Sequence, residues 1–235
     1  MVDLDFGDVD HFYSKYYDLV LRTGFIGAAQ DRTHRAIEKR WSKDDEFEQV
    51  LEVGAGTGDH RRFVNHQYQT YYETDIRFAN DLSIGDSSQK QPEAKGSLVR
   101  EFADLTQLHY KDDTFDRVIA TCLLLHLEKP EIALREARRV TKKRGVISIL
   151  VPCEPGLLLR ISRSLLTSRK ARRLGFQGYG LFNARDHINY LSRIDQLIKF
   201  VFEKDKIYVS RLPFRWPSWN FNLYYVYTIY RGENE

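Results

Sequence analysis

At 235 residues the chain has room for one well-buried α/β domain, and its formal net charge of +3 is too small to imply a nucleic-acid partner by itself. No stretch approaches the ~18 uninterrupted apolar residues of a membrane span, and the acidic start, Met1 to Asp8, lacks the basic head and apolar core of a signal peptide. Two cysteines, Cys122 and Cys153, offer no disulfide framework and no metal-ligand cluster, and they suit a reducing, cytoplasmic setting.

Residues 9–40 read as helical, opening on an aromatic run that includes Tyr13 and Tyr17. The first strand is Gln49–Val53, followed by a glycine loop and a helix start over Asp59–Asn65. Residues 69–75 are β-rich and close on Asp75, and the polar residues 83–97 read as a mobile loop. Leu98–Phe102 is a short strand, and Asp116–Thr121 is near-continuously apolar, as buried parallel strands are. Pro130 suits the first turn of a helix that Gly145 should end, and Val146–Val151 is the next buried strand. Ile188–Val201 has the period of an amphipathic helix, and Lys206–Arg211 and Asn222–Arg231 read as two further strands. Strands alternating with helices predict a doubly wound, mostly parallel sheet with helices on both faces.

The glycine loop carries the most chemistry. Residues 50–58 read Val-Leu-Glu-Val-Gly-Ala-Gly-Thr-Gly, with Glu52 ahead of Gly54, Ala55, Gly56 and Gly58. Alternate glycines let bare backbone turn sharply and approach a ligand. A dinucleotide turn would need glycine where Asp59 stands, and no Gly-Lys-Ser/Thr follows for a P-loop. Acidic flanks would repel a pyrophosphate, so a ligand with a positive centre fits better. Asp75, seventeen positions beyond Gly58, closes the following strand, where a carboxylate can accept two ribose hydroxyls.

These residues resemble class I S-adenosylmethionine-dependent methyltransferases, and the resemblance covers residues 48–151. It implies a Rossmann-like methyltransferase fold of seven strands with the last antiparallel, and S-adenosyl-L-methionine as cofactor. It places Glu52 and the glycine loop on the cofactor, Asp75 with Ile76 at the ribose, Asp104 with the Leu105 N–H at the adenine, and Thr121 and Cys122 beside it. Within the expected single domain, residues 1–45 form a helical lid, 48–151 the cofactor core and 152–187 a substrate-side insertion. Residues 188–235 supply a crossover helix and a C-terminal hairpin.

The acceptor is less legible. His126 matches a position where relatives often carry histidine, and His187 should lie at the carboxyl end of the sheet, so both are candidate bases. No group of side chains has metal-ligand spacing. Residues 157–173 mix aliphatics with Arg160 and five further basic residues, a run that suits a phosphate, a nucleotide diphosphate or an anionic membrane surface when it is not simply a solvated helix face. Trp216 and Trp219 in the last loop suit stacking on a sugar face. With Tyr13 and Tyr17 these form the expected substrate contacts. Parts of 152–220 are loosely similar to methyltransferases of surface-polysaccharide biosynthesis, which implies a sugar-linked or phosphate-bearing small-molecule substrate. A quinone or lipid-like metabolite, RNA, or a non-catalytic binding role remain as alternatives.

Overall fold

The structure is a computed structural model and describes residues 8–76 and 96–233. Most of the polar loop expected over 83–97 therefore lies outside the described residues, as does the start of the N-terminal segment. The chain begins with short helical pieces, α1 (Val9–His11) and α2 (Tyr17–Leu21) joined by a wide turn at Phe12–Tyr16, followed by the long helix α3 (Gly24–Glu38). Strands β1 (Glu46–Val53), β2 (Gln67–Asp75), β3 (Ser97–Phe102) and β4 (Phe115–Thr121) precede α4 (Pro130–Val140) and β5 (Thr141–Pro152). Then come α5 (Leu157–Ser162), another wide turn (Arg163–Thr167), α6 (Ser168–Arg173), α7 (Tyr179–Asp186) and α8 (Leu191–Val201). Strands β6 (Lys206–Leu212) and β7 (Tyr224–Tyr230) finish the domain.

One seven-stranded sheet has the order β3-β2-β1-β4-β5-β7-β6. The first five strands run parallel, and β7 pairs antiparallel with both β5 and β6. This is the sheet expected from the sequence, including its reversed last strand. The order reverses between β1 and β4, which opens a crevice at the carboxyl ends of the strands where ligands of such sheets bind. Register lines these ends up: Val53 lies opposite both Thr74 and Ala120, and Asp75 opposite Phe102.

The larger core covers one face. Helix α4 starts on Pro130 and buries Ala133, Leu134, Ala137 and Val140, one stripe of a 3.6-residue period. With Ile194 and Ile198 of α8 it packs on Leu51, Val118, Ile147 and Tyr227 of the strands. Gly145 does not end α4; the helix stops at Val140, and β5 begins at once with Arg144 in a left-handed conformation.

The other face departs from expectation. Only a single turn of 3-10 helix, His60–Phe63, stands where a helix was expected over Asp59–Asn65. The chain must leave the glycine loop and return the length of the sheet to Gln67, which leaves too few residues for a longer helix. Helix α3 covers that face instead, bringing Ile37 onto Leu150 and Val226. Glu38 reaches in beside it. Its carboxylate takes a bidentate pair from Arg117 at 2.8 and 2.6 Å and a third contact from His60 Nε2 at 2.9 Å. All three side chains are fully buried.

Candidate active site

The three loop glycines all have positive φ (66°, 56° and 79°), the conformation that glycine adopts without Cβ strain. A Cβ at Gly58 would stand 2.7 Å from Glu73 Oε2, and one at Gly54 would meet the Leu123 side chain at 2.8 Å. At Gly56 it would meet nothing within 4 Å, so the loop's tip opens on free space. The Gly56 N–H donates to Asp75 Oδ2 at 2.8 Å, and the Ala55 N–H donates to Thr74 O at 3.0 Å. Asp75 and the loop are thus brought together. Beneath them Glu73 is held by Arg61 at 2.8 Å and Arg100 at 2.6 Å, which anchors the carboxylate that Gly58 makes room for.

Glu52 is placed differently from its expected role. Strand alternation turns it into the α3-covered face, where it is 1 % exposed and accepts a 2.7 Å hydrogen bond from the Tyr71 hydroxyl. Burial pushes its carboxyl up to about 7. Ile76 is 59 % exposed just past Asp75. Asp104 is exposed beyond β3 and uses Oδ1 to take the Thr106 N–H and hydroxyl at 2.7 and 2.8 Å, while the Leu105 side chain sinks into the core. Thr121 ends β4 and Cys122 follows it, left-handed at φ 56° and with its thiol pushed up to about 12 by burial. That thiol stays neutral.

One turn past Leu123 the chain reaches the second half of the site. The His126 N–H donates to Leu123 O, and the His126 ring lies 4.8 Å from the His187 ring, centroid to centroid, edge to face. His126 Nδ1 is 3.0 Å from the Asp186 carbonyl and 3.3 Å from its carboxylate, both acceptors, so Nδ1 carries the proton. His187 Nδ1 lies 2.5 Å from Glu154 Oε1, and again the nitrogen must donate. Arg163 closes on the same Glu154 carboxylate, and the Tyr13 hydroxyl donates to Asp186 Oδ2 at 2.9 Å.

This pairing separates the two rings. Burial opposes a charge on each. For His126 the Asp186 carboxylate outweighs burial and raises its pKa above the ordinary value. For His187 burial prevails over Glu154, with Arg163 and His126 adding repulsion, and the pKa falls. The neutral ring of His187 therefore keeps its Nε2 lone pair at neutral pH. Tyr17 and Tyr179 are pushed up to about 12 by burial and remain neutral donors. His126, Asp186 and His187 also offer ligand atoms within 4.8 Å of one another, a spacing a cation can use, although Asp186 already answers His126 and Tyr13.

The fold thus assembles Tyr13, His126 and His187 from distant parts of the chain. It does not bring Arg160 to them: Arg160 points outward and is exposed, and Arg163 occupies the inner position. Trp216 is 70 % exposed and Trp219 40 %. Asp186 and Glu154 were absent from the expected set. Their only sequence signal is an acidic residue next to His187 and another following β5. The N-terminal segment docks through Phe12, which is fully buried among Phe176, Tyr179 and Phe182. Arg22 then reaches across to Asp59 and Thr57 at the glycine loop.

Residues 51–149 match the profile of a family described as a methyltransferase domain. The chain is 32% identical to a phosphatidylethanolamine N-methyltransferase of Cereibacter sphaeroides over 103 residues, 43% of this chain and 49% of that protein. It is 30% identical to a demethylmenaquinone methyltransferase of Bacteroides fragilis over 138 residues, 57% and 54% of the two chains. The chain thus spans about half the length of these relatives. Among solved structures it superposes on Haemonchus contortus phosphoethanolamine N-methyltransferase 2 in complex with S-adenosyl-L-methionine with a TM-score of 0.59 at 14% identity, covering 96% of this chain and 60% of that one.

Proposed function

We propose that this chain, whose residues 51–149 match a methyltransferase domain, is a class I S-adenosylmethionine-dependent methyltransferase that transfers a methyl group to a hydroxyl or amine of a small-molecule acceptor. The observation that carries this reading is a single crevice edge: the positive-φ glycine loop tied to Asp75 stands one turn of chain from the His126–His187 pair.

When bound, S-adenosylmethionine supplies an electrophilic methyl on a sulfonium, a good leaving group. The chain's residues do the rest. The open tip at Gly56 receives the amino-acid end against bare backbone, and Asp75 takes the ribose hydroxyls. Exposed Asp104 accepts from the adenine amine. His187, oriented through Nδ1 by Glu154, would accept the proton of the acceptor's hydroxyl or amine at Nε2. His126 and Asp186 hold the second wall as an ion pair, and Tyr13 and Tyr17 close it from the N-terminal lid. Alignment and the removal of one proton are the main demands of such a displacement.

A sugar or glycolipid precursor is the acceptor the insertion's sequence favours. A second reading comes from the curated relatives, one named for phosphatidylethanolamine and one for demethylmenaquinone. RNA fits less well, because the basic residues are local. A cytoplasmic enzyme is consistent with these substrates, and among the described residues no helix is long and apolar enough to cross a membrane.

Isothermal calorimetry with S-adenosylmethionine and its demethylated product tests the cofactor assignment, with binding of both expected. Absence of both would overturn the enzyme reading. A methyl-transfer screen across sugar nucleotides, glycolipid precursors, aminolipids and quinols then separates the acceptor classes.

A further inference from the structure

The run from α5 through α6 is turned the opposite way from an ordinary surface helix. Its inward positions, Leu159, Arg163, Thr167 and Ala171, follow a four-residue spacing, and the one with a charge, Arg163, points at Glu154. The outward positions Leu157, Ile161 and Leu165 are 49, 46 and 46 % exposed. A solvated helix would show the reverse.

The loop between β6 and β7 continues this surface. The Leu158 N–H donates to Asn220 O at 2.8 Å, and Gly156 has no room for a Cβ because Trp219 O would lie 2.5 Å from it. Phe214, Trp216 and Phe221 on this loop are 51, 70 and 52 % exposed. They are held in that position. Asn222, fully buried, donates to Trp216 O and Ser218 O at 2.9 and 2.8 Å and accepts the Phe214 N–H at 2.9 Å.

Charge identifies what covers this face. Residues 155–185 carry seven basic side chains and no acidic one; Arg163 turns to Glu154 and Lys170 to the Val20 and Thr23 carbonyls, and residues 211–223 add two more basic residues and no acidic one. A second copy of the chain would set two cationic faces against each other. A nucleic acid would neutralise the arginines but offers nothing apolar for Leu157, Ile161 and Leu165. A bilayer with anionic headgroups satisfies both, taking the aliphatic and aromatic side chains into its interface while Arg160, Arg169 and Arg215 meet phosphates. We infer that the outward face of α5–α6 and the β6–β7 loop form a docking surface for an anionic lipid bilayer. The inner side of the same helical run carries Arg163 against Glu154, so the docking face and the candidate site share one element. This rests on exposure and charge, independently of methyl transfer.

The test is co-sedimentation of the full chain with vesicles of phosphatidylcholine alone or mixed equally with phosphatidylglycerol, without cofactor or acceptor. Binding to the mixed vesicles and little to phosphatidylcholine alone is expected. The triple variant I161S/L165S/F214S should lower the bound fraction about tenfold while its circular dichroism melt stays unchanged. Brominated lipids should quench tryptophan emission of the unmodified protein, a readout that needs no variant. Equal binding to both vesicle types, absence of quenching, or unchanged binding by a folded triple variant would overturn the inference. So would a dimer in analytical ultracentrifugation that the triple variant abolishes, which would assign the face to a second copy.

Discussion

His187 Nδ1 sits 2.5 Å from Glu154 Oε1, so a carboxylate two residues past the end of β5 sets the orientation of a ring that begins where α7 ends. That contact makes Nδ1 the donor and leaves Nε2 3.7 Å from Asp186 Oδ2. It also moves the two rings in opposite directions, since Glu154 does not overcome the burial that lowers the pKa of His187 as Asp186 does for His126. The proposed base is therefore His187, the ring whose pKa falls.

Turnover should follow the deprotonation of His187. Because its pKa is held below the ordinary histidine value, the rising limb of kcat/KM against pH should lie on the acid side of ~6.5. Glu154→Gln keeps an acceptor for Nδ1–H but removes the negative charge, so that limb should move to still lower pH. His187→Ala should cost ~10²–10⁴ in kcat. A pH profile of H187A with wild-type rate and shape would remove His187 as the base.

Asp75 receives the Gly56 N–H and is the proposed acceptor of the ribose hydroxyls. Asp75→Ala should weaken S-adenosylmethionine by ~1–3 kcal/mol in calorimetry, the scale of a lost charged hydrogen-bond partner. Asp75→Asn, which retains one acceptor oxygen, should lose less. Equal affinities for all three proteins would take Asp75 out of the site.

Glu52 carries a pH signature of its own. Its folded-state pKa is raised from 4.5 to about 7, so the native state binds the extra proton. The stability this contributes is complete below the unfolded value and is lost as pH rises through the folded one. Glu52→Gln preserves the hydrogen bond from Tyr71 without a charge. It should raise the urea-unfolding free energy by on the order of 2–3 kcal/mol at about pH 8 and change it little at about pH 5. A variant no more stable than wild type at the higher pH would contradict the burial of that carboxylate.

Arg117 and Glu38 tie α3 to the sheet with both charges out of water. Glu38→Gln leaves the guanidinium without its counter-charge and should cost ~3–5 kcal/mol in denaturant unfolding. The double variant R117M/E38L, which removes both charges, should recover a large part of that loss. A double variant as unstable as the single one would show that the pair stabilises beyond charge compensation.

The sequence by itself determined the sheet and the contact-ready spacing of the glycine loop and Asp75. Apolar strands such as 116–121, and the spacing from the glycine loop to Asp75, are local features: backbone conformation and strand ends follow from residues close together in the chain. The helix expected over Asp59–Asn65 failed because its length depended on the return path to β2, a constraint that local propensity does not carry. His126 and His187 were recognisable as candidates, but their partners Asp186 and Glu154 became visible only when α7 and β5 met. The same holds for residues 157–173. Their periodicity separates two helix faces, Leu157, Ile161 and Leu165 on one and Arg163 on the other, and says nothing about which face turns inward. The tertiary structure decided that by placing a buried carboxylate, Glu154, under the run: a charge that must be answered draws Arg163 in, and Leu157, Ile161 and Leu165 are left outside.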